Sequence, residues 1–250
     1  MSTKAKWLSG KLSFYDGYET VKPLSPVVYE DDFIGAYLDK YVASTNTLAL
    51  WKTVETSINL APALVANATN GIVQLTCDAD DVTLIGTLYH GDQLAFSLKN
   101  GLMMEFRATL AVLPTTADST LTTAVMGMAS AHHATPDSVA TNVWFRAEGS
   151  GALLWESDDG NTDDNDNATG VTAVAGTYNI YRIDARSLAA GVRFYVDSAL
   201  VGTTADFNTN LTASEAKVQP YFRISKVKGA KNVNTGTLYV DYCRIWQNRS

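Results

Sequence analysis

Leu102-Met103-Met104-Glu105-Phe106-Arg107-Ala108-Thr109-Leu110-Ala111-Val112 is the stretch on which the fold turns. Leu102, Met104, Phe106, Ala108, Leu110 and Val112 recur at every second position, with Glu105, Arg107 and Thr109 between them. Only an extended strand puts such a set on one face, so the alternation predicts a strand with one side on a core and the other in water. The same period returns along the chain. Val143, Phe145 and Ala147 alternate with Trp144, Arg146 and Glu148; Val192, Phe194 and Val196 with Arg193, Tyr195 and Asp197; Val218, Phe222 and Ile224 with Gln219, Arg223 and Ser225. Further strands are expected at 71–77, 82–89, 93–98, 121–129, 151–157, 177–184, 199–203 and 236–247. Asp197-Ser198, between two runs rich in β-formers, fits a tight hairpin turn. Helical signals are scarce: Thr212-Ala-Ser-Glu-Ala-Lys217 offers one capped turn, too short to organise a layer. A dozen strands spaced by turns, with no helical pattern between them, predict an all-β chain of antiparallel sheets packed face to face. At this length a jelly-roll sandwich is expected.

The 250 residues are 46% hydrophobic and 18% charged, below the usual charged share of roughly 25%, so a large core is expected under a surface of Thr, Ser, Asn and Gly. The formal charge of −7, with no Lys/Arg-rich run, argues against nucleic acid as a partner. No apolar run approaches the ~20 residues of a membrane span. The opening Met-Ser-Thr-Lys-Ala-Lys-Trp lacks the apolar centre of a signal peptide, so the protein is expected to be made and kept in a cytoplasm. On that ground the sequons at Asn67, Asn167, Asn210 and Asn248 are set aside. Cys77 and Cys243, far apart in sequence, are expected to be buried, reduced thiols.

Residues 1–29 differ from the rest, carrying Lys4, Lys6, Lys11 and Lys22 against Asp16 and Glu19, a net of +2, so that residues 30–250 carry −9. Trp7, Leu8, Phe14, Tyr15 and Tyr18 are scattered among Gly10, Gly17, Pro23 and Pro26. This predicts an extended N-terminal arm without a core of its own, its aromatic residues serving as an interface, ahead of a sandwich over 30–250.

Phe194-Tyr-Val-Asp197 resembles the turn of concanavalin A-like sandwiches, including laminin G-type modules and laminarinase-type hydrolases, with Ser198 where Gly is common. Gly236-Thr-Leu-Tyr-Val-Asp-Tyr-Cys-Arg-Ile-Trp-Gln247 is similar to the last strand of that superfamily. Over almost the whole chain, Lys4-Ala-Lys-Trp-Leu-Ser-Gly10 with Phe14-Tyr15, Pro26-Val-Val-Tyr-Glu-Asp-Asp-Phe33, Tyr89-His-Gly-Asp-Gln93 and Asp241-Tyr-Cys-Arg-Ile-Trp-Gln-Asn-Arg-Ser250 resemble a group of tailed-bacteriophage virion proteins. That resemblance implies a non-enzymatic structural protein of the virion, made in the host bacterial cytoplasm. In this reading it is a capsid decoration (cement) protein on the capsid surface, bound to the major capsid protein and self-associated, with a homotrimer expected from lattice geometry. The alternative is a carbohydrate-binding module on the virion or tail, with a host glycan as partner.

Candidate chemistry centres on Glu156-Ser-Asp158-Asp159-Gly160-Asn161-Thr162-Asp163-Asp164-Asn165-Asp166. Asp159, Asn161 and Asp163 have the alternating spacing that suits Ca²⁺, but the run departs from an EF-hand at Asp164 and Gly170, so the principal expectation is a solvated loop without cofactor. Glu156, Asp158 and Asn161 approach the Glu-x-Asp-x-x-Glu pattern of laminarinase-type enzymes. Asn161 cannot protonate a leaving group, and retaining hydrolysis needs two carboxyl groups, so no catalytic residue is expected. His132-His133, among Ala131, Ala134, Thr135 and Pro136, are expected in an ordinary surface loop. Of the five tryptophans, Trp144 is the best candidate for stacking on a sugar, because alternation turns it away from Val143 and Phe145.

Overall fold

Apolar residues at period two do form strands, and two layers of them close over one core. The computed structural model describes residues 4–8, 11–15, 20–21, 27–34, 38–40, 49–56, 62–78, 82–114, 122–205, 207, 211–226 and 235–249. One sheet runs in the order β15 (Asp163–Thr172), β14 (Ala152–Asp158), β13 (Asn142–Glu148), β12 (Thr122–Ala129), β19 (Lys217–Lys226), β9 (Leu84–Tyr89), β6 (Trp51–Glu55), β5 (Leu38–Lys40), with β10 (Phe96–Ser97) also on β19. The other runs β18 (Ala199–Thr203), β17 (Arg193–Val196), β16 (Asn179–Ala185), β11 (Leu102–Val112), β20 (Gly236–Gln247), β8 (Val73–Cys77), β7 (Ala63–Leu64), with β4 (Val27–Asp31) also on β20. All pairings in the two sheets are antiparallel except β5 with β6. Strands distant in sequence are neighbours in space, as in a jelly roll. Among the described residues there is no α-helix, and no helix long and apolar enough to cross a membrane.

The core lies between the layers. Met104, Phe106 and Ala108 of β11 face Phe145 of β13 and Phe222 of β19, all buried. Phe106 stacks on Tyr181 (5.1 Å, 14°) and meets Phe222 edge-on (5.3 Å, 81°), the geometries that aromatic quadrupoles favour. Trp51 and Trp155 are also inside: Trp51 Nε1 donates to Asp31 Oδ2 at 2.8 Å, and Trp155 stacks on Phe194. Cys77 and Cys243 are buried and free, burial pushing the Cys77 thiol up to about 12. On the far side of the second layer Arg107, Arg182 and Arg244 lie over the rings of Tyr178, Tyr195 and Tyr242.

The turn between β17 and β18 has φ of 48° at Asp197 and 71° at Ser198, the two positive angles of a type I′ hairpin, and Val196 pairs with Ala199. Asp197 suits its place because its carboxylate accepts from Ile180 N and Asn179 Nδ2. Ser198 makes no such contact and bears the cost of a left-handed side chain, about 1–2 kcal/mol. Ser198→Gly should therefore stabilise the protein by about 1 kcal/mol, a rise in Tm of about 2–4 °C by calorimetry; an unchanged or lower Tm would count against this account. Thr212-Ala-Ser-Glu215 forms the expected capped turn, with Thr212 N donating to Glu215 Oε2 and Glu215 N to Thr212 Oγ1.

The described residues of the expected arm are extended, and all but 27–29 pair with one another. β1 (Lys4–Leu8), β2 (Lys11–Tyr15) and β3 (Thr20–Val21) form a separate three-stranded antiparallel sheet in which Leu8 pairs with Lys11. Only Ser9 and Gly10 separate that pair, a hairpin spacing that composition alone disguised as a break. Trp7, Leu8, Phe14 and Tyr15 lie on these strands, and Tyr18 falls outside the described residues. β4 begins at Val27 and pairs along β20, so the sandwich includes residues 27–29 of the expected arm.

Candidate functional site

The outer face of the first sheet is built in rows. Register places Glu156, Trp144, Gly127, Tyr221, Tyr89 and Lys52 opposite one another in turn across six strands. The next row holds Leu154, Arg146, Val125, Arg223, Thr87 and Val54, and the third Glu148, Thr123, Ser225 and Ile85. Pleating sends all of them away from the core. Gly127 is the hinge of the first row: a Cβ there would collide with Val143 O and stand 2.6 Å from Trp144 Cα. Its absence lets Trp144 and Tyr221 close over it and stack (6.1 Å, 27°).

This face does not meet water as alternation suggested. The β12–β13 connection, residues 130–141, folds back over it, and Trp144, Tyr89 and Tyr221 are all buried with Val139 of that connection among them. His132 Nδ1 lies 3.1 Å from Tyr221 Oη, and its backbone N–H donates to Asp92 Oδ1. Arg223 donates to the carbonyls of His133 and Ala134, and Arg146 to Asp137. The two histidines are thus part of a docked cover. A short apolar-polar segment shows no period, so nothing local reveals that side chains far away in sequence tie it down.

Arg146 is the electrostatic centre. Its guanidinium meets Asp137, Glu148 and Glu156, and these carboxylates hold it protonated above its ordinary range despite burial. Glu156 also accepts from Trp144 Nε1 at 2.7 Å, yet burial outweighs these partners and raises its carboxyl to about 7. Burial, with Arg223 nearby, lowers His132 to about 4, so the cover docks with a neutral imidazole at neutral pH. Beside the cover, over the third row, opens a pocket of about 180 Å³. Thr83 and Ile85 of the β9 region, Thr123 of β12, Arg146 of β13 and Arg223, Ser225 and Lys226 of β19 line it, with Ala134 to Asp137 as a wall.

The acidic run is a β-hairpin rather than a loop, with Asn161, Asp163, Asn165 and Asp166 exposed as expected: Glu156 and Asp158 lie in β14, and Asp163 begins β15. Cross-strand pairing of Asp158 with Asp163 overrides the repulsion that suggested an open loop. Asp159 is buried, its Oδ1 accepting from Asn161 N (2.9 Å) and Thr162 N (2.8 Å), which ties the turn. Asn161 is exposed, and Asp163 Oδ2 accepts from Asn165. These three do not fit calcium, which takes six to eight converging oxygens; no cluster of metal-holding His, Cys, Asp or Glu occurs among the described residues. Trp144 points to the outer face as alternation required, but it is spent on Glu156 and Tyr221 beneath the cover.

No family model and no curated protein matches the chain. Solved structures do. The carbohydrate recognition domain of Emp47p superposes with a TM-score of 0.54 at 11% identity, covering 88% of this chain and 96% of that one. The fold is concanavalin A-like. A Bacteroides ovatus mixed linkage glucan GH16 structure in complex with product (TM-score 0.51, 9% identity, 87% and 99% covered) shares it. So does a protein of unknown function from Shewanella oneidensis MR-1 (TM-score 0.55, 11% identity, 90% and 87% covered). At these identities the likeness concerns the sandwich alone. None of these structures links the chain to a phage particle, a capsid lattice or a trimer.

Proposed function

We propose that this protein is a non-enzymatic carbohydrate-binding sandwich, taking a sugar ring in the pocket between the third row of the outer face and the cover. The pocket carries the reading. It sets the hydroxyls of Thr83, Thr123 and Ser225, the carboxylate of Asp137 and two guanidinium groups beside the apolar side chains of Ile85 and Pro136, which is the mixture of directed polar groups and apolar surface that ligand sites use. The carbohydrate recognition domain among the structures of like fold supports it. A hydrolytic role is disfavoured by chemistry: Glu156 is 2% exposed, its oxygens are taken by Trp144 and Arg146, and Asn161 stands where a second acid would be needed. A place on a virion, expected from the sequence resemblance, is compatible with glycan recognition of a host surface.

The intact protein should bind a subset of glycans on a microarray. Thr83→Trp, at an exposed rim position, should cap the pocket without touching the core and lower that binding at least about tenfold, a loss of about 1.4 kcal/mol. Absence of binding to any glycan, or equal binding by the capped variant, would overturn the proposal.

A further inference from the structure

We infer that the pocket selects a carboxylate-bearing sugar, a hexuronate, with the carboxylate seated against Arg223 and Lys226. The inference rests on the glycan-binding reading above and names the class of sugar. Arg223 is 2% exposed, and its partners are all neutral: Ser225 Oγ at 3.2 Å, Tyr221 Oη at 3.5 Å, and the carbonyls of His133 and Ala134. Among the described residues no carboxylate forms an ion pair with it. This sets it apart from Arg146, which holds three. A guanidinium has five N–H donors, and the four bonds named leave one, on Nη2, unused. Lys226, anchored through Nζ to Asp78 O, adds a second cation to the same wall.

A buried guanidinium that no carboxylate among the described residues pairs with, as at Arg223, is a strong attractor for an anion, and a planar carboxylate matches it better than a point donor does. At the other end Asp137, its side chain half exposed, accepts from ring hydroxyls and repels a second negative charge. The pocket therefore offers a buried guanidinium, Arg223, and a half-exposed carboxylate, Asp137. That polarity suits one carboxylate on a polyhydroxylated ring, and it disfavours a doubly charged sugar phosphate.

The test is calorimetric titration of the full chain with oligogalacturonate and hyaluronan oligosaccharides, with the same oligosaccharides after their carboxyl groups are reduced to alcohols, and with acetate. Binding of an acid form should weaken about tenfold or more on reduction, fall as salt is raised, and vanish in Thr83→Trp. Acetate, which lacks the ring, should bind at least about tenfold more weakly than the acid oligosaccharide. Equal affinity for acid and reduced forms overturns this inference and leaves glycan binding standing. An acetate affinity equal to that of the acid oligosaccharide also overturns it, because the sugar ring would then contribute nothing. If neutral and acidic sugars alike fail to bind here and on the array, the glycan reading itself falls.

Discussion

Between pH 6.5 and about 3 the protein should lose about 4 kcal/mol of folding stability through one side chain, His90. His90 is 1% exposed and follows β9 into an aromatic nest, edge-on to Trp51 (4.6 Å, 70°) and Tyr29 (5.3 Å, 86°) and beside Phe96. Neither ring nitrogen has a hydrogen-bond partner among the described residues. Burial therefore lowers the imidazole to about 3. A folded-state value below the unfolded one means that the unfolded chain takes up the proton first, so stability is full above 6.5 and drains as pH falls through the folded value. His132 acts in the same direction. Glu156 acts in the opposite one: raised from 4.5 to about 7, its contribution is present below 4.5 and lost as pH rises through 7, so it offsets part of the histidine slope between those values. Urea midpoints at pH 7 and pH 4 should separate the terms. His90→Phe should flatten the acid slope and gain about 1–3 kcal/mol at pH 7 by removing two unpaired nitrogens. An undiminished slope in that variant would sink the account.

Arg146→Ala should cost about 3–5 kcal/mol, because it leaves Asp137, Glu148 and buried Glu156 facing one another without their cation. The penalty should be smallest at acid pH, where Glu156 is protonated, and grow toward pH 8. The cover should loosen as Asp137 loses its partner, so acrylamide should quench Trp144 more readily than in the parent protein. Arg146→Lys should recover only part of the loss, since an ammonium cannot serve three carboxylates with a planar fork. A cost under about 1 kcal/mol, typical of an exposed ion pair, would show that the cluster is not a structural centre.

The strands that sequence revealed are those with alternation or a dense run of β-formers between turn signals. Leu102–Val112 and Gly236–Gln247 were expected at 102–112 and 236–247, and each forms over the expected span because its apolar residues meet a core on one side; Ala199–Thr203, expected at 199–203, has no buried residue and forms through its hairpin pairing with β17. Strands without that contrast were missed. Asp163–Thr172 consists almost wholly of polar and small residues and exists because β14 pairs with it. Trp51–Glu55 is buried at its first three positions, so its two faces differ too little for period two to show. Val27–Asp31 lay across the expected boundary of the arm and belongs to the sandwich through its pairing with β20.

The residues of the candidate site were partly visible. Trp144, Arg146 and Glu148, like Arg223 and Ser225, could be assigned to an outward face from alternation alone, because side-chain direction in a strand is a local property. Their assembly was not visible. Sequence by itself determined the layer class, the core faces, the tight turn at Asp197-Ser198 and the lack of a second acid at Asn161, all consequences of residue type and period. Only the tertiary structure decided that β13, β12, β19 and β9 are neighbours, so that Arg146, Thr123, Ser225 and Ile85 line one pocket. It also decided that residues 130–141 close over Trp144 and Tyr221 and convert an outward face into a buried one. Strand order and loop docking depend on contacts between residues as far apart as His133 and Arg223, whose pairing no local pattern encodes, and it is those contacts that set which charges are left to meet a ligand.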